Sequence, residues 1–243
     1  MSLLSNLIDI IYHPRCHICM DFLDARPENR GEICDSCFSS FRKLTHPFCP
    51  ICCEPFKSKV EDDHLCEICL RKRPFFDQLR APCLYEGKLT NAMQLIKYAG
   101  KSYIVNSLGP MLATFAKDCI DDTEDMVMIP VPLHRKKIRQ RGYNQSALLV
   151  KAICPVLGIE SDFFTLTRIR FTSSQTGLSL EHRRKNVKGA FEVRENNNIN
   201  GKAVVLVDDV ATTCNTVNEC ARVLKKAGAE KVLGLVLART APY

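Results

Sequence analysis

The sequence predicts an α/β protein with a parallel β-sheet and a small cysteine-rich module at its N-terminal end. The first observation is that nine of the fourteen cysteines lie between Cys16 and Cys69. The second is that, beyond residue 77, continuous apolar runs of strand length alternate with helical stretches. Strands covered by helices on both faces have this continuous apolar pattern, which indicates a parallel sheet. We therefore predict two units, at residues 1–77 and 78–243.

The composition is that of a soluble globular protein large enough to bury a full core, with 243 residues, 46% of them hydrophobic and 25% charged. No apolar run approaches the roughly 20 residues of a membrane-spanning helix. Residues 1–13 lack the basic start and the cleavage site of a signal peptide, and they are predicted to form a short amphipathic helix. We expect a cytoplasmic protein without a membrane partner. Its net charge of +7 permits an anionic partner but does not require one.

Eight cysteines form four Cys-x-x-Cys pairs, a spacing that directs both thiolates of a tight turn at one tetrahedral ion. The pairs are Cys16 with Cys19, Cys34 with Cys37, Cys49 with Cys52, and Cys66 with Cys69. A disulfide framework is disfavoured because disulfides are rare in the cytosol. Four pairs supply the ligands of two closed zinc sites, which replace the core that so short a segment cannot build.

Two arrangements of these pairs are possible. Sequential sites join the first pair with the second and the third with the fourth, whereas cross-braced sites join the first with the third. We favour the sequential arrangement because the connecting loops are short, with 14 and 13 residues. Cys53 is then a spare neighbour, and no histidine is needed as a ligand, although His17, His46 and His64 are close in sequence.

Strands and helices alternate through the second unit. The predicted strands lie at residues 81–87, 126–132, 202–210 and 231–239. The predicted helices lie at residues 88–100, 106–120, 144–158 and 215–228. Proline disfavours a helix interior, so we expect the second helix to begin near Gly109 and Pro155 to disturb the end of the third. Gly228 is expected to end the last helix.

Two adjacent carboxylates, Asp208 and Asp209, end the predicted strand at 202–210. Open α/β sheets bind ligands at this edge, and the following helix N-terminus offers backbone amides and threonine hydroxyls to a phosphate. Two acids would repel a phosphate but accept hydrogen bonds from neutral hydroxyls. A diol beside a phosphate describes ribose 5-phosphate, although an acidic strand end with an ordinary helix cap would give the same pattern.

A hydrophobic strand that ends in Asp-Asp and is followed by two threonines resembles the phosphoribosylpyrophosphate (PRPP) loop of type I phosphoribosyltransferases. Three further segments, at residues 96–101, 130–146 and 175–191, resemble successive signatures of the ComF family of competence proteins. Members of that family also carry a cysteine-rich zinc module ahead of a phosphoribosyltransferase-like domain. The four motifs stand in the same order as in the family, and the resemblance covers nearly the whole chain.

The resemblance implies a role for each motif. Asp208 and Asp209 would bind the ribose hydroxyls. The 5′-phosphate would be bound by Ala211, Thr212, Thr213, Cys214, Asn215 and Thr216. The pyrophosphate would be bound by Lys97, Tyr98, Ala99, Gly100, Arg139 and Arg141, with Asn144 beside it. A magnesium ion is expected to bridge ligand oxygens, held mostly by ligand and water. Residues 175–186 would form a mobile loop that closes over the site.

One position departs from the family pattern, because Cys214 stands where glycine is usual. A glycine there accommodates an unusual dihedral angle or close phosphate approach. The cysteine side chain is expected to enter the phosphate cradle and to weaken PRPP affinity. A helix N-terminus lowers the pKa of a thiol, so we also expect Cys214 to be acidified.

The family is linked to natural transformation, in which incoming single-stranded DNA is handled in the cytoplasm. Two basic clusters and a tyrosine are candidates for contact with its backbone. They are Arg135, Lys136, Lys137, Tyr143, Arg183, Arg184 and Lys185.

Three functions follow. In the first, which we favour, the protein is a competence factor that binds PRPP with Mg²⁺, handles single-stranded DNA and contacts other DNA-processing competence proteins. In the second, it is an active phosphoribosyltransferase with an unidentified acceptor. In the third, the transferase fold is non-functional and the zinc module docks a protein or DNA. No segment resembles a nucleobase-binding hood, so the sequence leaves open whether the protein is an enzyme.

Overall fold

The structure is a computed structural model of the chain, and it describes residues 14–23, 32–56, 62–120, 125–172, 186–195 and 198–241. The predicted N-terminal helix therefore lies outside the described residues. The same holds for residues 175–185 of the predicted mobile loop, which include the candidates Arg183, Arg184 and Lys185.

A parallel sheet of six strands forms the centre of the described part, and it confirms the predicted fold class. Its strands are β1 (Gln78–Arg80), β2 (Cys83–Leu84), β3 (Met126–Pro130), β4 (Glu160–Ser161), β7 (Ala203–Ala211) and β8 (Lys231–Arg239). Their order is β1-β8-β7-β3-β4, with β2 also paired to β8. A separate antiparallel ribbon consists of β5 (Leu166–Arg168) and β6 (Phe191–Val193).

Seven helices with assigned bounds surround the sheet in the described residues. They are α1 (Asp35–Ser39), α2 (Glu67–Arg71), α3 (Gly87–Tyr98), α4 (Val105–Lys117), α5 (Arg135–Arg141), α6 (Gln145–Leu157) and α7 (Asn215–Lys226). The predicted helices correspond to α3, α4, α6 and α7. Helix α5 was not among them, and it occupies the basic stretch between β3 and α6.

Helix α4 does not begin near Gly109, so the expectation drawn from Pro110 is wrong. The helix begins at Val105, directly after a 3₁₀ turn at Ser102–Ile104, and Pro110 lies inside it. An internal proline costs about 3 kcal/mol. Val105 and Leu108 in the turns before Pro110 are buried, and each buried side chain of this size contributes about 1.5–3 kcal/mol, so burial outweighs the cost. Helix α6 likewise continues through Pro155 to Leu157.

Strand β7 is buried on both faces, with alternate residues in two separate hydrophobic clusters. Val205 and Val207 belong to the cluster that contains α3, α4 and α6, whereas Val204 and Leu206 belong to the cluster that contains α7. Successive side chains of a strand point to opposite faces. Asp208 and Asp209 therefore leave the strand end toward opposite sides of the sheet.

The cysteine-rich segment packs on both sides of this sheet. Cys16 and Cys37 belong to the cluster with α3 and α4, and Cys49, Cys52, Cys66 and Cys69 belong to the cluster with α7. The backbone amide of Leu79 in β1 donates a 2.7 Å hydrogen bond to the carbonyl of Ile51, which ties the second cysteine group to the sheet edge. The boundary between units at residue 77 stays a prediction.

Candidate functional site

The eight paired cysteines form two groups, each with sulfur atoms within 4.8 Å of one another. One group contains Cys16, Cys19, Cys34 and Cys37, and the other contains Cys49, Cys52, Cys66 and Cys69, so the sequential pairing is confirmed. The Sγ–Sγ distance is 3.6 Å for Cys19 with Cys34 and 3.6 Å for Cys52 with Cys66. Tetrahedral zinc with bonds of about 2.3 Å separates its sulfur ligands by about 3.8 Å, so the thiols fit the ion.

The spare residues near these groups have other partners. His17 Nε2 lies 3.0 Å from Glu32, His46 Nδ1 lies 2.9 Å from Asp63, and the ring of His64 stacks on a phenylalanine at 3.9 Å. Cys53 is buried and belongs to neither group. With four thiols in each group, the two centres are closed, as structural zinc sites are.

The first cysteine group contacts the segment that follows α3. His17 Nδ1 lies 3.0 Å from Lys101 Nζ, and the amide of Glu32 donates a 2.9 Å hydrogen bond to Ser107 Oγ in α4. Lys101 comes directly after Gly100, the last residue of the predicted pyrophosphate loop. The segment of the first cysteine group thus contacts the chain just after the predicted pyrophosphate loop.

Asp208 and Asp209 lie at the end of β7, and both are buried, with exposed fractions of 9% and 4%. Asp208 Oδ1 accepts hydrogen bonds from Ser146 Oγ at 2.9 Å and from the amide of Asp209 at 2.9 Å. Asp209 Oδ2 lies 2.8 Å from Lys97 Nζ, and its Oδ1 accepts from the amide of Val210 at 2.7 Å. The lysine at the end of α3 therefore pairs with Asp209, whereas Ser146 of α6 bonds Asp208.

Burial governs the charge of this pair. Burial raises the pKa of Asp208 to about 7, and the adjacent charge of Asp209 acts in the same direction. Burial by itself would lower the pKa of Lys97, but attraction to Asp209 outweighs it and raises that pKa. Near neutral pH, Asp208 is thus only partly ionised while Lys97 keeps its charge.

Cations converge around the acids from three elements. Burial lowers the pKa of Lys137 in α5, and repulsion from Arg168, Arg141 and Lys97 lowers it further. Lys137 therefore lies near the other three cations, although the four residues belong to α3, α5 and β5. A cluster of like charges of this kind indicates a polyanionic ligand.

The predicted pyrophosphate loop lies at the end of α3. Tyr98 is 73% exposed, and the guanidinium of Arg141 lies 5.8 Å from the centre of its ring. Ala99 and Gly100 are exposed; Gly100 has a φ of 70°, and a Cβ placed on it would meet no atom within 4 Å. The backbone is therefore open to a ligand at this point.

The segment between α5 and α6 is hydrogen-bonded to the end of α3. Tyr143 donates its hydroxyl hydrogen bond to the carbonyl of Ile96, and Asn144 caps α6 by accepting from the amide of Ser146 at 3.1 Å. Arg141 bonds Gln145, whereas Arg139 is exposed. The structure thus brings Arg141 to the loop at 97–100, and Tyr143 is partly buried.

The predicted phosphate turn connects β7 to α7. Cys214 precedes the helix with a φ of 57°, in the left-handed region that glycine prefers. Its thiol is buried in the same cluster as Cys49, Cys52 and Cys66, rather than in the cradle. Burial raises the pKa of Cys214, so the expected acidification by the helix N-terminus is wrong. The amide of Asn218 donates to the Cys214 carbonyl at 2.8 Å.

Three buried polar atoms near this site have no hydrogen-bond partner among the described residues. They are Thr213 Oγ1 in the turn, Arg168 Nε in β5 and Asp209 Oδ2, which has only its ion pair with Lys97. Buried groups without a partner are rare in folded proteins, and a ligand is one common explanation. Arg168 was missed by the sequence analysis, since it lies on a ribbon strand with no motif of its own.

Three of the four predicted nucleic-acid residues that the structure describes lie on α5. Arg135 and Lys136 are exposed, and Lys137 is half-buried. Lys136 Nζ lies 5.5 Å from the ring centre of Phe171. The ring centres of His134 and Phe171 are 5.4 Å apart. Phe171 is 43% exposed, and the sequence analysis did not identify it.

Two family models match separate stretches of the chain. Residues 7–77 match a double zinc ribbon domain, and residues 144–241 match a phosphoribosyl transferase domain. No helix in the described ranges has both the length and the apolar character that a membrane crossing requires.

Several curated proteins are similar over most of their length. Competence protein F of Haemophilus influenzae is 30% identical over 215 residues, which cover 86% of this chain and 91% of that protein. DNA utilization protein YhgH of Escherichia coli O157:H7 is 33% identical over 212 residues, with 86% and 90% covered. Competence protein ComFC of Bacillus subtilis (strain 168) is 26% identical over 213 residues, with 86% and 85% covered.

Proposed function

Because the chain belongs to the ComF family of competence proteins, we propose that it binds PRPP with Mg²⁺ and handles single-stranded DNA during natural transformation. The observation that carries the proposal is the convergence of an acidic pair, four cations and a phosphate-type turn at the end of β7. We place this activity in the cytoplasm, with other DNA-processing competence proteins as partners.

The acidic pair supports a sugar ligand. Ionised carboxylates accept hydrogen bonds, and a ribose diol supplies two hydroxyl donors at adjacent carbons. Both carboxylates are buried, and Lys97 is paired with Asp209. Binding therefore requires the Lys97 ammonium to leave Asp209, and the diphosphate offers it a new anionic partner.

The cations and the turn support the phosphates. Arg168, Arg141 and Lys97 each repel Lys137, and a bound diphosphate would relieve that repulsion. The unpaired hydroxyl of Thr213 and the amides at the start of α7 offer donors to the 5′-phosphate. Carboxylates and phosphates are the hard oxygen ligands that suit Mg²⁺, which would neutralise charge on the diphosphate.

The α5 surface supports binding of nucleic acid. None of its seven residues is buried, and five of them are lysine or arginine with no acid among them. Phe171 beside Lys136 adds an exposed ring on which a base can stack. This combination gives binding that is independent of sequence and weakened by salt.

Calorimetric titration of the zinc-loaded protein with PRPP and Mg²⁺ tests the ligand. The comparison variant is Asp208→Asn with Asp209→Asn, which keeps the shape of both side chains and removes their charge. We expect wild-type binding that requires Mg²⁺ and no binding by the variant, provided its thermal unfolding shows that it folds. Absence of binding by the wild type with Mg²⁺ would reject a PRPP site.

A further inference from the structure

Arg239, the last residue of β8, joins the second cysteine group to the predicted phosphate turn. Its side chain is almost completely buried, with 3% of the residue exposed. The guanidinium donates from Nε to the carbonyl of Cys52 at 3.0 Å. Its Nη1 donates to the carbonyl of Ala211 at 3.2 Å and also to that of Thr212, and Nη2 lies 3.3 Å from Glu54 Oε2.

These contacts divide into two sets that come from distant parts of the chain. Cys52 is a thiol of the second group and Glu54 is two positions further on, whereas Ala211 and Thr212 begin the turn. A buried guanidinium is tolerated only when its donors are satisfied, because an unpaired buried charge is strongly destabilising. Arg239 therefore needs both sets in place at once.

The contacts to the turn also fix the direction of its peptide groups. In a planar trans peptide, the N–H points away from the C=O of the preceding residue. Holding the carbonyls of Ala211 and Thr212 toward Arg239 turns the amides of Thr212 and Thr213 to the opposite side. That side is where the proposed 5′-phosphate would lie.

Packing provides a second connection between the same two parts. The Cys214 thiol lies in the cluster that contains Cys49, Cys52 and Cys66, and the amide of Leu79 anchors Ile51 to the sheet. A metal ion in the second group would hold the position of the Cys52 carbonyl. Loss of the ion would free that acceptor and leave Arg239 Nε without its partner, whereas Nη1 also donates to Thr240.

We propose that Arg239 is a positioning residue through which the second zinc centre holds the phosphate turn in its anion-binding shape. The identity of the anion rests on the proposed function, whereas the coupling between the cysteine group and the turn does not. The turn is expected to keep its shape only while both the guanidinium fork and the metal-loaded cysteine group are present.

Hydrogen exchange, read by mass spectrometry, tests the coupling without a ligand. Arg239→Lys keeps the charge and removes the fork. The matched control is Arg80→Lys, because Arg80 Nη1 donates a 2.9 Å bond to the carbonyl of Pro50 in the same cysteine group, and its recorded contacts do not include the turn. We expect both variants to retain two zinc ions, and peptides over residues 211–216 to exchange at least tenfold faster in Arg239→Lys alone.

Equal exchange of residues 211–216 in the two variants would overturn the proposal. If Arg239→Lys does not fold, Glu54→Ala removes one partner and leaves the fork, and unchanged exchange in that variant would also overturn the proposal. Titration with PRPP and Mg²⁺ adds a second readout, with affinity expected to fall tenfold or more in Arg239→Lys. If the wild type does not bind PRPP, the proposed function fails, and the exchange result still decides the coupling.

Discussion

Lys97 Nζ lies 2.8 Å from Asp209 Oδ2, so the end of α3 is held over the end of β7. The two side chains are only 19% and 6% exposed. This pair closes the acidic strand end in the free protein, and it is the contact that a sugar ligand would have to replace.

Lys97→Met is expected to destabilise the protein by about 3–5 kcal/mol at pH 8, because it leaves buried Asp209 without its cation. Adding Asp209→Asn removes the unpaired charge and should restore most of that loss. Unfolding in urea measures both variants. If the double variant were as unstable as Lys97→Met, the ion pair would not be the cause.

Asp208 is expected to make stability depend on pH. Its pKa is raised from 3.8 to about 7, so the folded protein holds a proton between these values that the unfolded chain releases. This contribution is fully present below pH 3.8 and is lost as pH rises through 7, by up to about tenfold in the folding equilibrium per pH unit. Asp208→Asn should lack this component, so the difference in unfolding free energy between the two proteins should change from pH 5 to pH 8. A constant difference would contradict the raised pKa.

Cys214 is expected to prefer glycine to alanine as its replacement. Its φ of 57° strains any residue that has a Cβ, by about 1–2 kcal/mol. Cys214→Gly should therefore be more stable than Cys214→Ala by about 1 kcal/mol in urea unfolding. Cys220 is also buried but lies within a helix, so the order should reverse there, because glycine in a helix costs about 1 kcal/mol. The same order at both positions would argue against backbone strain at Cys214.

Phe171→Ala is expected to weaken binding of single-stranded DNA about tenfold, because one stacked base contributes about 1–3 kcal/mol. The dependence of affinity on salt should not change. Lys136→Gln should instead lower the slope of log affinity against log salt by about 0.7. Phe164→Ala is a control, since Phe164 is 70% exposed and none of its described ring contacts involves α5. Fluorescence anisotropy measures all three, and equal loss in both phenylalanine variants would exclude a specific stacking site.

The two zinc centres are expected to differ in how much of the fold depends on them. All four thiols of the second group are buried in the cluster with α7, whereas Cys19 and Cys34 of the first are half-buried. Cys52→Ser should therefore abolish cooperative unfolding of the sheet. Cys19→Ser should lower the zinc content to one ion per chain and leave the unfolding of the sheet cooperative. Calorimetry and zinc analysis distinguish these outcomes. Equal losses would show that the two centres support the fold alike.

Elements with strong local patterns were predictable from the sequence. Strands β3, β7 and β8 are continuous apolar runs, and the Cys-x-x-Cys spacing identified the thiols and their sequential pairing. The start of α4 was not predictable, because packing of Val105 and Leu108 outweighs the preference of Pro110.

Contacts across long sequence separations left no local signal. Arg239 and Cys52 are 187 positions apart, and nothing near either residue indicates that they meet. Arg168 and Phe171 likewise reach the site through the ribbon of β5 and β6. The inward direction of the Cys214 thiol depends on the cysteine group beneath it, which only the folded chain brings there.

The cysteine-rich segment supplies apolar surface to both faces of the sheet, and this has a consequence for shortened versions of the protein. A fragment beginning at Gln78 would leave Leu79 and Leu89 uncovered, one on each side. Such a fragment would aggregate during expression rather than behave as a free-standing catalytic or binding module.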